Sequence, residues 1–264
     1  MYSGRSFIWL IAAAIIFSLQ LSSVAFAELT EGLAVYLDFN ELDGDTFADL
    51  PGNGNNGVLV GNLEHLDGKL GKAIQNDGTA NFVRVPHDPS FDPVDGKITV
   101  MVWIYPTDGM NHAGFGYEQA ILHWNDGPNE YTYHFGLHNG KADFIMVESN
   151  SAWRQATGST LVPPGEWHHI AGAADGSNVI AYLDGKEDAS VAYDGTANIV
   201  VTDIGIACKV RGIVDGVRGM VDEVAILTRP LSADEIKQAM EGGITAAVSP
   251  GQKLASTWGN IKTE

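Results

Sequence analysis

The chain has 264 residues, 45% of them hydrophobic, and carries 33 acidic against 15 basic side chains for a formal net charge of −18. Such acidity sets it against nucleic acid and anionic membrane surfaces, whose partners present basic faces; it serves either solubility or the gathering of a hard cation. The single cysteine, Cys208, has no partner within the chain, so a disulfide framework is excluded and stability has to come from a core.

Residues 1–27 read as a signal peptide. Arg5 supplies a weak positive start, Phe7 to Leu21 an apolar stretch, and Ala25-Phe26-Ala27 a small-x-small cleavage site. An uncleaved membrane anchor is the alternative, for which the apolar run falls short of the ~20 residues a spanning helix needs. The expectation is an exported protein beginning near Glu28, secreted, periplasmic or at the cell surface, with no membrane span after cleavage. Loss of Arg5 leaves 33 acidic against 14 basic side chains.

Beyond the leader, short apolar runs such as Ala34 to Phe39, Lys97 to Tyr105, Tyr131 to Leu137, Ala142 to Val147 and Ile199 to Ile206 alternate with turn pairs. Asp95-Gly96, Asn139-Gly140 and Asp184-Gly185 are among the pairs that favour the positive φ of tight hairpins. Many short strands at this spacing predict one antiparallel sandwich, residues 28–242, not alternating β and α units. The Asn139-Gly140 turn registers its hairpin, pairing Phe135 with Phe144 and Tyr133 with Met146 on a core face. The opposite face, with His134, Gly136, Asp143 and Ile145, is either a polar ligand surface or plain solvated sheet. One helix is predicted over Ala233 to Met240, opened by the capping box Ser232-Ala233-Asp234-Glu235 and stopped by Gly242-Gly243. Residues 243–264 have no clear period and read as a tail.

Three runs in fixed order carry a family likeness: Glu166-Trp167-His168-His169-Ile170-Ala171, Ala181-Tyr182-Leu183-Asp184-Gly185-Lys186, and Gly219-Met220-Val221-Asp222-Glu223-Val224-Ala225-Ile226. With Leu37-Asp38-Phe39-Asn40-Glu41 at the start and Leu231-Ser232-Ala233-Asp234-Glu235-Ile236 at the end, the chain resembles the laminin-G-like jelly rolls of the concanavalin A-like lectins and glucanases. The resemblance implies an all-β, two-sheet antiparallel jelly-roll sandwich with one short C-terminal helix. It also implies a binding or adhesion module, often with one structural calcium.

Calcium takes six to eight oxygens, and the loop from Asp49 to Gly57 offers a carboxylate with Asn53 and Asn55. The resemblance places this loop near the last strand, so Asp222 is expected to complete the site; plain turns held by Asx hydrogen bonds are the alternative. For a glycan or glycoprotein, the candidate contacts are Trp103, Tyr105, Trp124, His134, Trp153 and Arg154. Trp103 and Tyr105 share one face of their strand and form either core or the floor of a groove. Trp124, Asn125, Asp126, Trp153 and Arg154 set aromatics beside hydrogen-bonding groups in loops, which suits stacking on a sugar ring. His168 and His169 point to opposite faces and cannot chelate one ion together. The paired carboxylates that retaining glycoside hydrolysis needs about 5 Å apart on one strand face have no matching run here, and G-x-S-x-G is absent from the sequence. A non-catalytic binding module is therefore expected. A structural or adhesive protein with protein partners is the alternative, and a glycoside-active enzyme with dispersed carboxylates the third reading.

Overall fold

A computed structural model describes residues 29–79, 81–107, 117–124, 131–208 and 216–244, without the side chains of 117–120, 122–124 and 243. The chain divides into two compact units, Gly32–Met240 and a second formed by Met1–Glu31 with Glu241–Glu264. The fold lies in the first.

Its strands are, in chain order, β1 (Leu33–Leu37), β2 (Thr46–Phe47), β3 (Gly57–Val60), β4 (Glu64–Asp67), β5 (Lys72–Asp77), β6 (Phe82–Val85), β7 (Lys97–Pro106) and β8 (Tyr117–Trp124). There follow β9 (Tyr131–His138), β10 (Lys141–Val147), β11 (Trp153–Leu161), β12 (His168–Asp175), β13 (Asn178–Leu183), β14 (Lys186–Ala192), β15 (Ile204–Ile206) and β16 (Arg218–Leu227). They form two sheets, one ordered β14-β13-β12-β7-β16-β5-β4 with β1 paired to β16, the other β11-β10-β9-β8-β15-β6-β3-β2. Every pairing described is antiparallel, as the turn-rich sequence predicts.

The core fills the space between the sheets. From β7, Ile98, Val100, Val102 and Ile104 point inward and are fully buried, and from the facing hairpin Tyr133, Phe135, Phe144 and Met146 meet them. The hairpin register is the predicted one, Phe135 opposite Phe144 and Tyr133 opposite Met146, with the two Phe rings edge to face at 6.0 Å. Its turn sets that register: Asn139 at φ 48° and Gly140 at φ 75° adopt the paired left-handed conformation that matches strand twist. Asp188 of β14 accepts bonds from Ser159 and Thr160 of β11, tying the edge strands of the two sheets together. Helix α1 (Ala233–Gln238) begins on the expected box, Ser232 accepting from the Glu235 amide while Glu235 accepts from the Ser232 amide. It gives way to a wider turn from Ala239 and stops at Gly242, φ 88°.

Candidate functional site

Three of the residues proposed for calcium, Asp49, Asn53 and Asn55, meet in one loop, but through hydrogen bonds. Asp49 is buried, and backbone N–H groups already fill its carboxylate: Tyr36 donates to Oδ1, Asn53 and Asn55 to Oδ2. The amide nitrogens of Asn53 and Asn55 in turn donate to the carbonyls of Leu33 and Ala34. A cation needs converging oxygens, and this loop converges donors instead; it is the Asx-stabilised turn of the alternative reading. Burial pushes the pKa of Asp49 up against these donors.

Asp222 serves a different loop. Its Oδ2 accepts from the amides of Lys69 and Leu70, at the turn between β4 and β5, and its Oδ1 from Glu223. A bulge after Asp222, with Glu223 at φ 56°, shifts the register of β16 against β7. Burial raises the pKa of Asp222 to about 7, against the pull of those amides. Among the described residues no group of three or more His, Cys, Asp or Glu is placed to hold a metal. The four residues named for calcium thus do not fit the ion as a set.

The same turn corrects the groove reading of Trp103. Trp103 points away from the core on the outer face of the first sheet, yet it is only 8% exposed. The turn pinned by Asp222 carries the Lys69 ammonium to 4.1 Å from the centre of the Trp103 ring. His169, its cross-strand neighbour, closes the other side with ring centres 5.4 Å apart. His169 is buried, its Nδ1 has no hydrogen-bond partner among the described residues, and burial drives its pKa down to about 4. Tyr105 leans on Trp167, ring centres 5.6 Å apart. His168 faces the opposite way, as strand alternation requires, with Nδ1 2.9 Å from Asp184. This face is a packed surface and not an open floor.

The outer face of the β9–β10 hairpin is not solvated either. His134, Asp143 and Ile145 are all buried there. Asp143 Oδ1 accepts from Gln155 Nε2 at 3.0 Å and Thr157 Oγ1 at 2.6 Å, both on β11, while Oδ2 is buried with no partner among the described residues. Burial raises the pKa of Asp143, and those two bonds oppose the rise.

The open candidate is Trp153, which begins β11 at the edge of the second sheet and is 46% exposed. Its ring meets that of Tyr131 at 4.9 Å, 63° between planes. Beside it Arg154 grips the buried Glu148 with two bonds, Nε to Oε1 and Nη2 to Oε2. A strap after β14 runs past these strand ends. The Asp194 amide donates to Glu148, Asn198 to the Val147 and Tyr131 carbonyls, and Val200 to Thr132 Oγ1. The strap leaves Ile199 and Val201 exposed. The arrangement offers an indole backed by a second aromatic, beside a neutralised charge pair. Trp124 ends β8 opposite Tyr131, its side chain outside the description, and Asn125 and Asp126 lie outside the described residues. Sequence reading named Trp153 and Arg154 but missed Tyr131 and Glu148, because strand pairing and a turn bring them together.

Residues 77–237, more than half of the chain, match the family profile described as the Concanavalin A-like lectin/glucanases superfamily, in its laminin G group. The chain belongs to that superfamily. Among solved structures it is similar to the binding domain of Paraclostridial Mosquitocidal Protein 1, with TM-score 0.65, 17% identity, and coverage of 80% of this chain and 52% of that one. Domain 4 of AbnA, an extracellular arabinanase from Geobacillus stearothermophilus solved with arabinotriose, gives 0.60 at 20% identity, covering 78% of this chain and 97% of that one. The ligand binding domain of botulinum neurotoxin serotype D in complex with N-acetylneuraminic acid gives 0.62 at 13%, covering 83% and 52%. The chain spans about half the length of the two toxin domains. These likenesses show a shared jelly-roll fold. No curated protein matches the chain significantly.

Proposed function

We propose that the protein is an exported, non-catalytic module that binds extracellular glycans or glycoproteins through the edge formed by Trp153 and Tyr131. The observation that carries this reading is the exposure of Trp153 against a second aromatic. An exposed indole with a second aromatic beside it offers a flat face that suits the C–H face of a sugar. The structural relatives support it: one was solved with arabinotriose and another with N-acetylneuraminic acid. A catalytic role is disfavoured by what the buried acids do, Glu148 binding Arg154 and Asp143 binding Gln155 and Thr157. The apolar leader read in residues 1–27 supports export, and no helix among the described residues is long and apolar enough to cross a membrane. The binding reading does not require calcium.

The test is a glycan panel probed with residues 28–264, once with calcium and once with chelator. Binding that Trp153→Ala removes supports the reading, and loss in chelator would add a metal to it. No binding in either condition favours the second reading, an adhesive protein contact, which the exposed Ile199 and Val201 of the strap support.

A further inference from the structure

Resting on the glycan-binding reading, we propose that this edge selects uncharged oligosaccharides and turns away acidic ones such as uronates and sialylated chains. The cation beside Trp153 is already committed. Arg154 directs Nε and Nη2 at Glu148, whose Oε1 also accepts from the Asp194 amide. The Asp194 carboxylate accepts from the amide and hydroxyl of Thr196 and adds a second negative charge close by. Glu148, Asp194 and Arg154 together leave the strand end that carries Trp153 one charge negative, on the side of β11 opposite Gln155 and Thr157, within a chain whose formal charge is −18. A carboxylate ligand arriving here meets repulsion and no free guanidinium fork of the kind that recognises carboxylates.

The rest of the edge points the same way. Along β11, Trp153, Gln155 and Thr157 lie two residues apart, so they share one face and span about 13 Å of strand. That gives a stacking ring followed by an amide and a hydroxyl, with room for more than one sugar unit. Gln155 and Thr157 are partly exposed and held in place by Asp143 Oδ1 behind them. Fixed neutral polar groups next to an aromatic ring match hydroxyl-bearing sugars, and orientation by Asp143 reduces the entropy lost when a ligand binds.

The experiment measures affinity by calorimetry for matched pairs: lactose against sialyllactose, and neutral galactan oligosaccharides against oligogalacturonates, each at low and high salt. Neutral members are expected to bind, with their acidic counterparts at least tenfold weaker at low salt and the gap narrowing as salt screens the repulsion. Trp153→Ala is expected to weaken neutral-sugar binding at least tenfold at an unchanged melting temperature, and Trp153→Phe to restore part of it. An acidic member bound as tightly as its neutral partner overturns the inference while leaving the glycan-binding reading intact. Neutral-sugar binding that survives Trp153→Ala moves the site elsewhere and also overturns it. A panel in which no saccharide binds removes the glycan reading itself, and the inference with it.

Discussion

Arg154 closes on Glu148 with two parallel bonds across the turn that joins β10 to β11, and the carboxylate it neutralises is fully buried. The pair also anchors the strap through the Asp194 amide. The bonds from Arg154 hold the pKa of Glu148 below its ordinary 4.5. The stability this contributes is therefore present above about pH 4.5 and lost as pH falls through the lower folded value. Arg154→Ala strands a buried carboxylate. It is expected to lower the melting temperature at pH 7 and to lose that deficit as pH drops towards 3; Arg154→Lys recovers part of it. A melting temperature equal to wild type at both pH values would remove the pair from the stability of the edge.

Asp222 behaves in the opposite sense. It stays protonated up to about pH 7 when folded but ionises near 3.8 when unfolded. Its contribution is therefore complete below pH 3.8 and disappears as pH rises through about 7. Denaturant titrations in chelator should show wild-type stability falling by a few kcal/mol relative to Asp222→Asn between pH 4 and 7. Parallel pH profiles for the two proteins would show that burial does not hold this proton. Calcium that raised the melting temperature of wild type, but not of Asp222→Asn, would return Asp222 to a ligand role.

What the sequence reveals and what it hides follow from the range of the interactions. Asn139-Gly140 and Ser232 with Glu235 act within a few residues, so their turn and cap are readable before any fold is known. The alternation of β7 assigns Ile98, Val100, Val102 and Ile104 to one face correctly. Alternation cannot say what lies over the other face. Trp103 looks open until the turn at Lys69, held by an aspartate 153 residues away in sequence, folds onto it. In the same way, Asp49 and Asp222 look like one cation site until Asp49 is seen to be filled by the amides of Tyr36 and Asn53, and Asp222 by those of Lys69 and Leu70 in a distant turn. Tyr131 reaches Trp153 only because β9, β10 and β11 pair in order.

The helix cap offers a local prediction. The Ser232 hydroxyl accepts from the amide of Glu235 and occupies an exposed position, so its removal perturbs little else. Ser232→Ala is expected to cost about 1 kcal/mol in denaturant unfolding. Ser232→Thr, which keeps both the acceptor and the hydroxyl that donates to Glu235 Oε2, should retain most of the stability. A loss equal to that of Ala would show that the geometry tolerates no bulkier side chain.

A missing side chain lets the two sheets pack closely at one point in the core. Gly172 on β12 faces Phe144 on β10, and a Cβ placed there would lie 2.4 Å from Phe144 Cγ and 2.8 Å from its Cβ. The contact involves the stem of a buried ring that already packs on Phe135, so the ring cannot swing aside freely. Alanine normally stabilises a strand relative to glycine by reducing unfolded-state entropy. Overpacking works against that gain at a typical cost of 1–3 kcal/mol, and at 2.4 Å the cost wins. Gly172→Ala is accordingly expected to destabilise by about 2 kcal/mol in urea unfolding. Phe144→Leu alone loses ring contacts, but combined with Gly172→Ala it makes room for the added methyl. The double variant should therefore be more stable than the sum of the two losses, a positive coupling of about 1 kcal/mol for residues in direct contact. Strict additivity would mean that the sheets part to admit the methyl and that Gly172 does not fix their separation.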